Sequence, residues 1–205
     1  MTPGNPLTIG TIGAGQVGQA IARAAVKAGH RVVLSNSRGP ESLADVVGGL
    51  GDNASAATPA QAAQADVVIL TAGWDQVRDA VRDLPDWGGR IVIDTTNQWH
   101  QHDPSQPADL GDETGSEHIA ALLPGARVVK AFNTVRATTV ERTLDAGGAP
   151  LVIFLAGDDT DAKAVVSSFV ASLGLAPIDL GDLRPGGKLM QAGGPLVDLH
   201  LAKIR

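Results

Sequence analysis

Leu7-Thr8-Ile9-Gly10-Thr11-Ile12-Gly13-Ala14-Gly15-Gln16-Val17-Gly18 runs from an apolar hexamer into three glycines spaced G-x-G-x-x-G. The next dozen residues are amphipathic. Val17, Ala20, Ile21, Ala24 and Ala28 fall on one helical face, and Gln19, Arg23 and Lys27 lie opposite. Leu7–Ile12 therefore reads as a strand, Gln16–Ala28 as a helix, and Gly29 as the helix stop. In that setting the glycines have separate tasks. Gly13 permits the tight turn, Gly15 lets backbone approach a pyrophosphate, and Gly18 lets the helix pack close to the strand. Ala14, Gln16 and Val17 complete the turn, and the first helical N–H groups face any bound anion. Without its flanks the motif is common, and a tight turn with no ligand is the plainer alternative. A strand before it and a helix directly after it make a dinucleotide site the expectation.

Further along, short apolar runs alternate with amphipathic stretches. Arg31–Ser35, Val67–Thr71, Arg90–Asp94, Arg127–Phe132 and Leu151–Ala156 read as strands, most of them apolar on both faces. Helices are expected over Glu41–Leu50 and near Asp75–Leu84, Ser116–Leu123, Ala137–Leu144 and Asp161–Leu173. The alternation predicts an α/β fold with a doubly wound, mainly parallel, Rossmann-like sheet and a small C-terminal extension. Residues 7–135 are expected to form the dinucleotide-binding Rossmann domain. Residues 136–205 would be a C-terminal lobe that continues the sheet. Gln98–Gly115 has no period and reads as a long loop, and the Gly147–Pro150 and Pro185–Gly187 clusters read as turns.

The end of the second strand selects the cofactor. An NAD enzyme places an acid there to bond the ribose hydroxyls. Here the sequence is Asn36-Ser37-Arg38, with no acid between His30 and Glu41. Ser37 and Arg38 can donate to a 2′-phosphate, so NADP is expected; a solvated loop arginine is the alternative. The other strand ends supply Ala72-Gly73-Trp74, Thr95-Thr96-Asn97 and Ala131-Phe132-Asn133-Thr134. Asn97, Asn133 and Thr134 could bond a carboxamide. Trp74 could equally be a packing residue at a helix start. Lys130 reads first as a surface or ion-paired lysine.

Composition narrows the chemistry. Sixteen Lys and Arg against twenty-two Asp and Glu give a net charge of −6, which argues against a nucleic-acid partner. There is no Cys, which excludes disulfides, thiolate metal sites and Cys nucleophiles, and no Tyr, which excludes a catalytic Tyr. His100, His102 and Asp103 are too sparse a set to predict a metal. No leader pattern and no membrane-length apolar run are visible, so a soluble, cytoplasmic protein is expected. The tail from Leu189 to Ile204 is rich in Leu with few charges, and predicts either a homodimer or packing on its own sheet.

Three stretches, TIGAGQVGQAIARAAVKAGHRVVLSNSRGPESL, IVIDTTN and GSEHIAALLPGARVVKAFNTV, resemble the NADP-dependent deazaflavin-coenzyme (coenzyme F-420) reductase family over most of residues 7 to 180. The cytosolic NADPH domains of transmembrane ferric reductases are among that family's relatives. The resemblance implies NADP phosphates on Gly13 to Gly18, the 2′-phosphate on Ser37 and Arg38, and nicotinamide near Trp74, Asn97 and the Ala131–Thr134 turn. It also implies a homodimer. The expected reaction is hydride transfer between NADP and a small ring-type electron acceptor such as a deazaflavin or flavin, which needs little side-chain chemistry. Reduction of a small carbonyl or imine, with Lys130 or a histidine as proton donor, is a second reading. An NADP-binding module without turnover is a third. Between Ile91 and Ala126 there are six acids and no Lys or Arg. If that segment covers the acceptor pocket, a neutral or cationic acceptor is favoured over an anionic one.

Overall fold

The computed structural model describes residues 6–100, 103–146 and 148–204. The first residues of the leader reading, His102 of the histidine pair and Gly147 of its turn lie outside the described residues. In chain order the elements begin with β1 (Thr8–Ile12), α1 (Gln16–Lys27), β2 (Arg31–Ser35), α2 (Ala44–Leu50), β3 (Ala54–Ala56) and α3 (Pro59–Ala62). The central part holds β4 (Val67–Leu70), α4 (Val77–Val81), β5 (Ile91–Asp94), β6 (Trp99–His100), β7 (Asp103–Pro107) and α5 (Gly115–Leu122). The chain continues with β8 (Arg127–Ala131), α6 (Ala137–Ala146), β9 (Val152–Ala156), α7 (Thr160–Ser172), β10 (Ala176–Asp179) and α8 (Leu183–Met190).

The described residues build one eight-stranded sheet in the order β3-β2-β1-β4-β5-β8-β9-β10. The first six of these are parallel, in the doubly wound 3-2-1-4-5-6 arrangement. β9 then pairs antiparallel with β8, and β10 runs parallel to β9. Val67–Leu70 and Ile91–Asp94 are buried at every position, as central strands covered on both faces must be. One core gathers Ile9, Ile21, Ile93 and Phe169, so α1 and α7 share that face. The other gathers Val68, Val81, Val92 and Ile119, under α4 and α5.

The fold expectation holds, with four corrections of detail. The Pro185–Gly187 cluster, expected as a turn, lies inside α8. Gln98–Gly115 is not free of structure: β6 and β7 pair there as a small antiparallel sheet. β3 and α3, three and four residues long, escape a reading that needs a full period. The tail divides its apolar residues. Met190 and Leu196 pack with Val152 and Phe154 of β9, whereas Leu189, Leu199, Leu201 and Ile204 stay exposed.

His30 ties the start of β1 to the end of α7. Its Nδ1 accepts the Leu7 N–H at 3.1 Å, and its Nε2 lies 2.8 Å from the Ser172 hydroxyl, which itself donates to the Phe169 carbonyl. A backbone N–H can only donate, so Nδ1 is unprotonated and the ring is neutral. Burial pushes its pKa below the usual 6.5. The unfolded chain then takes up a proton at a pH where the folded one does not. His30 contributes stability in full above about pH 6.5 and loses it as pH falls below that value. Tm should therefore drop between pH 7.5 and pH 5.5, and by less in His30→Gln. Parallel melting curves for the two proteins would refute this.

Candidate dinucleotide site

The carboxyl ends of β1, β2 and β4 open into a cleft of about 840 Å³ lined by Gly13, Gly15, Ser37, Arg38, Thr71 and Gly73. The three glycines of the first turn do three different things. Gly13 has φ +106°, and a Cβ there would lie 2.8 Å from the Thr71 hydroxyl. A Cβ on Gly18 would lie 2.9 Å from the same hydroxyl and 3.0 Å from the Gly13 carbonyl. At Gly15 a Cβ would meet nothing within 4 Å, because that position faces the open cleft. Gly15 is also the N-cap of α1, with no side chain bonded to it, so the cleft receives the helix N-terminus. Thr71 donates its hydroxyl to the Gly13 carbonyl at 2.8 Å, and the Gln19 amide donates to the Ala14 carbonyl at 2.9 Å. Gln16 is exposed, and Val17 is half-buried against the core.

After β2 the loop shapes itself. Asn36 Oδ1 accepts the Arg38 N–H at 2.9 Å, and its Nδ2 donates to the Ser42 hydroxyl at 2.9 Å. Asn36 thus builds the turn, while Ser37 and Arg38 stand exposed at the cleft wall. Thr58–Ala60, Ala80 and Leu84 also line the cleft. Sequence reasoning missed these. Thr58-Pro59-Ala60-Gln61 carried a usable signal, since Thr58 and Gln61 cap α3 reciprocally.

The remaining expected residues gather beyond this cleft. Ala72 and Gly73 line it, but the Trp74 ring turns away onto His118, with centroids 5.4 Å apart. Asn97 and Asn133 hold each other: Asn97 Nδ2 donates to the Asn133 carbonyl at 2.9 Å, and Asn133 Nδ2 to Asn97 Oδ1 at 3.0 Å. Asn133 Nδ2 also reaches the Met190 carbonyl at 2.7 Å, which leaves its Oδ1 buried and unpartnered. Ala131 is fully buried. Lys130 is the ion-paired lysine of the two readings, 3.3 Å from Asp94 and inaccessible. His100 pairs with Asp75 at 2.8 Å.

The negative charge of the 91–126 stretch is smaller in space than in sequence. Asp94 is paired with Lys130, and Glu117 accepts from Arg184 at 2.7 Å. Burial pushes the Glu117 carboxyl up, but hydrogen bonds from Arg184 and Thr114 outweigh it and hold the group below its ordinary value. Asp109, Asp112 and Glu113 remain exposed.

A parallel sheet in this order, with a glycine turn opening on a cleft at its switch point, is the arrangement of a Rossmann-type dinucleotide-binding fold. Residues 8–98 match the family described as NADP oxidoreductase, coenzyme F420-dependent. Over those residues, which hold the glycine turn and the Asn36–Arg38 loop, the chain is similar to that family. It is similar to a hypothetical protein from Sinorhizobium meliloti, with 41% identity, TM-score 0.89, and 97% and 96% of the two chains covered. A structure from an Arthrobacter species, provisionally described as an F420-dependent NADP-reductase, shares 26% identity with TM-score 0.70 over 86% of each chain. Metalloreductase STEAP3 of Rattus norvegicus is 28% identical over 85% of this chain. The chain spans about a third of the length of that relative, 34%. Among the described residues no helix is long and apolar enough to cross a membrane.

Proposed function

We propose that this chain binds NADP(H) in the glycine-turn cleft and exchanges hydride with a small ring-type acceptor such as a deazaflavin or flavin. The observation that carries the proposal is the combination of open space at Gly15 with the exposed Arg38 on the wall of the same cleft. The residues present fit the dinucleotide: backbone N–H groups of the Gly13–Gly18 turn for the pyrophosphate, Ser37 and Arg38 for the 2′-phosphate. Asn36 supports them from behind. The nicotinamide end would lie on Ala72 and Gly73, toward the strand ends that carry Asn97, Ala131 and Asn133, with Trp74 packed on His118 beside it. When bound, NADPH supplies the hydride. The chain binds and orients the ring and keeps water from it.

A ring acceptor takes up one hydride and one proton from solvent, so no acid–base pair is required. Carbonyl reduction would need a proton donor at the cleft, and the Lys130 ammonium is instead buried on Asp94 and the Thr96 carbonyl. A homodimer joined through the exposed Leu189, Leu199 and Leu201 belongs to the same proposal. Stopped-flow oxidation of NADPH against a panel of acceptors tests the reaction. The residual acids Asp109, Asp112 and Glu113 favour turnover with a neutral or cationic ring, and slower turnover, improving with salt, with the deazaflavin coenzyme and its anionic tail. Fast, salt-insensitive turnover of the tailed coenzyme would overturn the charge argument. No NADPH oxidation by any ring acceptor would overturn the reaction.

A further inference from the structure

Asp94 ends β5, and Lys130 faces it in register on β8, one residue before that strand ends. Both are inaccessible, at 0% and 1% exposure. The carboxylate is held by three donors: the Thr96 N–H at 2.8 Å, Lys130 Nζ at 3.3 Å and the Ser116 hydroxyl from the first turn of α5. Lys130 also donates to the Thr96 carbonyl at 3.0 Å. A buried ion pair is a poor way to stabilise a fold, since neutral packing of the same volume does as well or better. Its position is informative. Strand carboxyl ends bound the ligand crevice of a doubly wound sheet, and Thr96 links the pair directly to Asn97.

We infer that the Asp94–Lys130 pair, by keeping the sheet end close to electrically neutral, balances the affinity of the site for oxidised and reduced cofactor. The inference rests on the nicotinamide end lying over β5 and β8, as proposed above. The nicotinamide ring is neutral in NADPH and carries one positive charge in NADP+. A fixed charge in the low-dielectric sheet end therefore acts on one form and hardly on the other. With both partners present the two charges oppose each other. With one removed, the survivor biases the site. Asp94 and Lys130 are positioning residues in this role, and neither has to touch substrate.

Kd values for NADPH, NADP+ and adenosine 2′,5′-bisphosphate, which lacks the ring, test the inference on the isosteric variants. Asp94→Asn leaves the Lys130 charge and should raise the ratio Kd(NADP+)/Kd(NADPH) by roughly 5- to 30-fold. A factor of that size corresponds to roughly 1–2 kcal/mol, the order of interaction that one unit charge exerts at an effective dielectric of about 20. Lys130→Gln leaves the carboxylate and should lower the ratio by a similar factor. The bisphosphate should bind all variants alike. A purely structural role would weaken both forms together and leave the ratio unmoved, which overturns the inference. Should a single variant not fold, Ser116→Ala keeps both charges but strips one donor from Asp94. It should shift the ratio in the Lys130→Gln direction, and an unchanged ratio there again overturns the inference. Failure of the bisphosphate to compete with NADPH in the unmodified protein would instead refute the cleft assignment.

Discussion

Arg38→Ala is expected to weaken NADPH binding by about 10- to 150-fold and to leave NADH binding nearly unchanged. A hydrogen bond to a charged group is worth roughly 1.5–3 kcal/mol, and each ~1.4 kcal/mol is tenfold in Kd. The loop that carries Arg38 is held by Asn36, through the Arg38 backbone N–H and the Ser42 hydroxyl, not by the guanidinium. Removing the side chain therefore leaves the loop in place and isolates the phosphate contact. Because Arg38 is exposed, the difference should shrink as salt rises. Calorimetric titration with both cofactors checks this, and equal losses for the two would sink the 2′-phosphate assignment.

Gly15→Val should abolish binding of either dinucleotide while the protein still folds. Gly15 has φ −76°, which any residue adopts, and nothing lies within 4 Å of its Cβ position. The new side chain costs the apo fold little and fills the space in front of the α1 N-terminus. The other two glycines make the contrast. A Cβ on Gly13 or Gly18 runs into Thr71, so Ala at either position should lower Tm before any question of binding arises. A Gly15→Val protein with native Tm and retained NADPH affinity would show that the phosphates do not sit on this turn.

The same three glycines show how far local sequence reaches. The spacing, the strand before and the helix after were legible because each imposes a conformation on its own few residues. The buried strands were legible for a related reason: β4 and β5 are covered on both faces, so their apolar runs are unbroken. Thr58–Ala60 was missed because β3 and α3 are too short to show a period, although their capping residues were in view. The Gln98–Gly115 segment was misread for a similar reason, since its two strands satisfy their backbone groups in each other and not in the main sheet.

By itself, the sequence determined the class of fold and the glycine turn between β1 and α1, and it carried the Asn36–Arg38 segment on which the NADP proposal rests. Each depends on backbone conformation, strand burial or a missing acid within a few neighbouring positions. Tertiary structure alone decided how the charged and aromatic side chains are used. Lys130 meets Asp94 across 36 residues and Arg184 meets Glu117 across 67, so two acids of a uniformly acidic stretch are neutralised from elsewhere in the chain. Trp74 turns onto His118, and Asn97 and Asn133 close on each other. The physical reason is that a side chain's partner is set by which strands and helices the topology brings together. Neither spacing nor composition in one segment carries that information.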